Sequence, residues 1–161
     1  MNQAVGHYCM LATCINALAL SDMINQLKAR VLSSIPMPRF IQTFNKFVAD
    51  DLIDQGYILI NAVCNPYNTT DLSVNRALEM DCDVMIKCTR VNGVYTADPE
   101  KDPNAQKIDK VSFQEVLEKG LNVLDLSAMA LAMENKLPVY VCNMNDIEKR
   151  TDELDGTLVT V

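Results

Sequence analysis

The chain has 161 residues, of which 49% are hydrophobic and 22% charged, a composition that fits one folded domain with a sizeable core and excludes a disordered chain. Its formal net charge of -7 argues against nucleic acid as the main partner, because binding a phosphate backbone is driven by clustered Lys and Arg. The longest apolar stretch, Cys9 to Leu20, is interrupted by Thr13 and Asn16 and too short for a bilayer, and no cationic flank marks a secretory signal, so the expectation is a cytoplasmic protein with no membrane partner.

In chain order, Met10, Leu11, Cys14, Leu18 and Met23 recur at helical spacing and predict a helix from about Cys9 to Leu27. Ala29 to Ile35 reads as a strand stopped by Pro36 and Pro38. A helix is expected from Arg39 to Asp54, with Phe40, Phe44, Phe47, Val48 and Leu52 on one stripe and Gly56 as its stop. Tyr57 to Val63 is apolar on both faces, as in a central strand covered by helices, and Cys64 to Thr70 is a loop. Asp71 opens a helix to about Glu79, and Asp83 to Thr89 is a second continuous apolar strand. Phe113 to Lys119 and Leu124 to Asn135 read as helices, and Pro138 to Cys142 and Thr157 to Val161 as strands.

Strands alternating with helices imply an α/β fold, a mainly parallel sheet between helix layers. Ligands gather at the carboxyl ends of such strands. Three loops fall there, 64–71, 90–99 and 143–146. No C-x-x-C pair occurs among Cys9, Cys14, Cys64, Cys82, Cys88 and Cys142, and His7 is the single histidine, so reduced thiols and no protein-built metal site are expected.

The loop Asn65-Pro66-Tyr67-Asn68-Thr69-Thr70-Asp71 sets amides and hydroxyls before a helix, where free N–H groups either attract phosphate or are simply capped by Thr70 or Asp71. The segment after Asp83 to Thr89 brings Thr89, Asn92, Tyr95 and Asp98 together. There a ring can pack on a base and a carboxylate can meet ribose hydroxyls or a metal; the alternative is a plain turn at Asn92-Gly93 and a capped loop at Asp98-Pro99. Neither G-x-x-x-x-G-K-[ST] nor G-x-G-x-x-G is present, so P-loop and Rossmann phosphate turns are absent.

The ordered series Met10-Leu11-Ala12-Thr13, Asn65-Pro66 with Thr69-Thr70-Asp71, Lys87-Cys88-Thr89-Arg90-Val91-Asn92-Gly93-Val94-Tyr95-Thr96-Ala97-Asp98-Pro99, Val123-Leu124-Asp125-Leu126, Asn143-Met144-Asn145 and Gly156-Thr157-Leu158-Val159 resembles the bacterial uridylate kinases of the amino-acid-kinase superfamily. The resemblance implies a three-layer α/β/α sandwich of amino-acid-kinase type, with residues 1–161 as a single partial domain lacking the N-terminal third. It implies transfer of the γ-phosphoryl group of MgATP to UMP in a homohexamer. Carried over by position, Thr89, Asn92, Tyr95 and Asp98 line the ATP site. Asn65, Thr69 and Thr70 contact UMP, and Asp71 and Asp125 organise the catalytic groups, although without the resemblance Asp125 reads simply as a cap of the helix that follows.

Departures accompany the matches. Ala62 and Cys64 stand where the family has glycines, and a Cβ at either position obstructs close approach to a phosphate. The family's lysine-bearing first strand and glycine-rich phosphate loops have no counterpart in this sequence. The alternative expectation is therefore an inactive or truncated member serving as a nucleotide-binding or subunit-interaction module.

Overall fold

The computed structural model describes residues 3–24, 26–62, 69–146 and 155–161, with the backbone alone for 3–7 and 69–71. Two compact units are formed, Met1–Met80 and Asp81–Val161.

In the first unit, β1 (Ala29–Ser33), β2 (Gln42–Thr43) and β3 (Ile58–Ala62) form a parallel sheet in the order β2-β1-β3. Successive strand residues point to opposite faces, so the sheet offers two apolar surfaces. On one, Val31 and Ala62 bury against Cys14 and Ala17 of α1 (Gln3–Met23). On the other, Leu32 buries against Ala49 and Leu52 of α2 (Lys46–Asp54). This unit is thus three layers, helix on sheet on helix. α3 (Thr69–Glu79) follows β3, and its Val74 is fully buried.

Three expectations are corrected here. The helix expected from Arg39 begins at Lys46, because Gln42 and Thr43 pair with Leu32 and Ser33 and the Asn45 side chain caps the helix by accepting from the Phe47 amide at 3.0 Å. The proposed stripe is broken accordingly: Leu52 is buried, but Phe40 and Phe47 are 76% and 84% exposed. α1 spans Gln3–Met23 rather than Cys9 to Leu27; one glycine inside a helix, here Gly6, costs only about 1 kcal/mol and does not stop it. β1 stops at Ser33, whose hydroxyl accepts from the Ile35 amide at 3.1 Å and turns the chain.

In the second unit, β4 (Met85–Thr89), β7 (Lys110–Ser112), β8 (Val139–Asn143) and β9 (Gly156–Thr160) form a sheet in the order β4-β8-β9-β7. β4–β8 and β7–β9 are parallel, and β8–β9 antiparallel. A separate antiparallel pair joins β5 (Val94–Tyr95) to β6 (Lys107–Ile108). Between β7 and β8 come α4 (Phe113–Glu118) and α5 (Leu126–Glu134). α4 opens with a capping box in which Ser112 and Glu115 satisfy each other's amides. Phe113, Val116, Ala128, Met129, Val139 and Val159 are buried in this unit.

The α/β class and the mainly parallel pairing are as expected. The short strands β2, β5, β6 and β7 were not foreseen, because two or three residues carry no measurable alternation. No helix among the described residues is long and apolar enough to cross a membrane.

Candidate functional site

β4 ends at Thr89, and the chain turns at once. The Thr89 hydroxyl donates to the Val91 carbonyl at 2.7 Å and accepts from the Val91 amide at 3.2 Å, closing a side-chain turn. Asn143, at the matching end of β8, donates its side-chain amide to the Arg90 carbonyl at 3.1 Å. The turn is thereby held from both strands at the carboxyl end of their parallel pair.

A cleft of about 450 Å³ opens above this end, within the range of small-molecule sites. One wall is the segment 89–100 without Asn92, and the other is Lys119 to Asn122, just past α4. Thr89, Tyr95 and Asp98 all line it. Val91, Ala97, Pro99 and Leu121 contribute apolar surface beside the Tyr95 ring, while Thr96 and Asp98 contribute polar groups. The arrangement can take a flat, partly apolar group bearing hydroxyls.

Asp98 is tied into its own loop. Its carboxylate accepts from the Glu100 amide at 3.0 Å and pairs with Lys101 at 2.8 Å. The hydrogen bond from Lys101, then that from the Glu100 amide, holds the Asp98 carboxyl below the ordinary carboxylate range. The two cations of the cleft are also engaged: Arg90 lies 3.6 Å from Glu100 and Lys119 3.2 Å from Glu115. All four groups are well exposed, so these pairs are weak and exchange readily for a stronger anion.

Asn92 is not brought into the cleft. Its side-chain amide donates to Asp155, which also pairs with Lys107, so the residue serves the loop's attachment. Asp125 lies beside an adjoining cleft of about 330 Å³ that shares Gly120, Leu121 and Asn122 with the first. It occupies the N-cap position of α5 without a capping hydrogen bond from its side chain, leaving the carboxylate exposed. Thr69, Thr70 and Asp71 form the first turn of α3, in backbone only, and Asn65 lies outside the described residues. Lys119 to Asn122 went unnoticed in sequence, where Lys119-Gly120 signals only the end of a helix.

Among the described residues no group of three or more His, Cys, Asp or Glu could hold a metal ion.

Comparisons with known proteins identify the family. The model of the amino acid kinase family matches residues 5–143, and the chain belongs to that family. Its relatives there are uridylate kinases. It is 45% identical over 141 residues to the uridylate kinase of Porphyromonas gingivalis, covering 84% of this chain and 59% of that relative. It is 42% identical to the uridylate kinase of Vibrio vulnificus, covering 99% of this chain and 70% of the relative. The crystal structure of UMP kinase from Bacillus anthracis superposes with a TM-score of 0.89 at 30% identity, covering 96% of this chain and 68% of that one. The chain thus spans roughly three-fifths to two-thirds of the length of the curated relatives it matches.

Proposed function

We propose that this chain carries the ATP site and part of the UMP site of a uridylate-kinase-like protein, transferring the γ-phosphoryl group of MgATP to UMP to give UDP. The observation that supports the reading is the cleft at the carboxyl end of β4, walled by the segment that carries Thr89, Tyr95 and Asp98. In this reading the Tyr95 ring packs on the base, Asp98 meets the ribose hydroxyls, and Asn92 holds the loop. Thr69 and Thr70, with Asn65, contact UMP, and Asp71 and Asp125 orient the catalytic groups. Mg²⁺ supplies neutralisation of the spreading phosphate charge when bound. Arg90 and Lys119, released from their surface pairs, draw the polyphosphate into the cleft.

The setting proposed is a cytoplasmic homo-oligomer, hexameric as in the family. Exposed apolar side chains along α1, among them Tyr8, Leu11, Ile15 and Met23, support association of copies.

A second reading, a nucleotide-binding module without turnover, is favoured by Ala62 and Cys64 standing where the family has glycines. One experiment separates the two. ATP binding is measured by isothermal titration with Mg²⁺, and UDP formation by a coupled assay with UMP. Binding with turnover supports the kinase, binding without turnover the module, and absence of both rejects the nucleotide site. Tyr95→Ala is expected to weaken ATP by about two- to tenfold, the size of one aromatic stacking contact.

A further inference from the structure

Thr157 is buried, and it and Ser33 are the polar residues buried among those described. Its hydroxyl accepts from the Val94 amide at 2.7 Å and donates to the Ile108 carbonyl. Val94 and Ile108 are register partners in the antiparallel β5–β6 pair. One hydroxyl on β9 therefore grips both strands that support the cleft wall.

Two neighbouring contacts point the same way. Gly93 approaches so closely that a Cβ there would stand 3.2 Å from the Thr157 amide nitrogen. Two residues before Thr157, Asp155 takes both the Asn92 side-chain amide and the Lys107 ammonium, so β6 and the turn leading into β5 each have a tie to the same stretch of chain. β5 and β6 have only two paired residues each, too few to hold a shape alone. Valine has nearly threonine's shape but no hydroxyl, so it would leave the Val94 amide and the Ile108 carbonyl without this partner.

We infer that Thr157 is a positioning residue whose hydroxyl fixes the wall 93–98 and thereby sets nucleotide affinity. The affinity part of this inference rests on the proposed ATP-side site; the fixing of the wall does not. Thr157 touches no reacting atom in this account and acts through Val94 and its neighbours Gly93 and Tyr95.

The test compares the full chain with Thr157→Val and Thr157→Ser, reading amide hydrogen exchange at Val94 by NMR and MgATP affinity by titration. Thr157→Val is expected to speed exchange at Val94 about tenfold and to weaken MgATP by about five- to tenfold, the size expected of buried hydrogen bonds lost. Thr157→Ser, which keeps the hydroxyl, is expected to stay within about twofold of the parent on both readings. A valine variant indistinguishable from the parent in exchange and affinity overturns the inference, as does a serine variant that behaves like valine. If the parent binds no MgATP, the ATP-side reading fails separately and exchange at Val94 still decides the clamp. If the valine variant does not fold, an unprotected Val94 amide in the parent overturns the inference, and protection shared by parent and serine variant supports it.

Discussion

The thiols of Cys88 and Cys142 face each other across the parallel β4–β8 pair, with their sulfurs 3.9 Å apart. Cys142 is fully buried, and that burial, followed by the hydrogen bond with Cys88, pushes its thiol up to about 11. Cys9 and Cys82 are exposed. In the folded protein at mildly alkaline pH, iodoacetamide should therefore label Cys9 and Cys82 well before Cys142, as followed by peptide mass mapping. Labelling of Cys142 as fast as Cys9 would refute this placement.

The same thiol gives a signed pH dependence. Its folded-state value lies above its unfolded one, so the folded state favours the protonated form. The contribution is fully present below about pH 8.5 and is lost as pH rises through about 11. Urea midpoints should fall over that range, and less steeply in Cys142→Ala. An identical slope in the variant would assign the fall to other groups.

Gly93 combines a φ of +116° with a Cβ direction that ends 2.5 Å from the Thr157 hydroxyl oxygen. Gly120, at φ +61°, has open space around the corresponding position. Gly93→Ala should destabilise by roughly 1–3 kcal/mol through strain alone, with the clash in addition, and so exceed Gly120→Ala. Denaturant titration of both variants checks the ranking; equal losses would mean that only backbone strain matters.

Phe113 and Phe47 test the reassigned boundary of α2. Phe113 is 1% exposed and Phe47 is 84% exposed. Phe113→Ala should cost about 3–5 kcal/mol, whereas Phe47→Ala should stay within about 0.5 kcal/mol. A large loss at Phe47 would restore it to the core stripe that its helical spacing suggests.

The Asp98 carboxyl should titrate below the ordinary aspartate value of about 3.9, as seen by carbon NMR of its side chain. Because the folded value is depressed, the stabilisation is present above the unfolded value and is lost as pH falls through the folded one. Lys101→Ala removes the hydrogen bond that does most to hold the carboxyl down and should bring the midpoint back up. An unchanged midpoint would assign the shift to the Glu100 amide.

The apolar runs Ile58 to Ala62 and Met85 to Thr89 were legible as strands, but the central position covered on both faces that was expected of Tyr57 to Val63 is corrected: β3 and β4 each lie at the edge of their sheet, and Ile58 and Ile86 are exposed. The placement of Thr89, Tyr95 and Asp98 followed from their position just after such a strand. Asn92 could not be read correctly, because its partner Asp155 is 63 residues away and no local pattern announces the bond. Phe47 misled for a related reason: helical spacing fits it to the stripe, but the cap at Asn45 decides where the helix starts and hence where the ring points. Lys119 to Asn122 enter the cleft through tertiary folding alone.

Every residue lining the larger cleft falls between Thr89 and Asn122, yet the hydroxyl that fastens its wall comes from β9, beyond β8. During synthesis, a chain released as far as β8 would already hold all of the contact surface and none of the clamp. Loss of β9 alone would thus leave every lining residue in the chain while removing the hydroxyl that ties Val94 to Ile108.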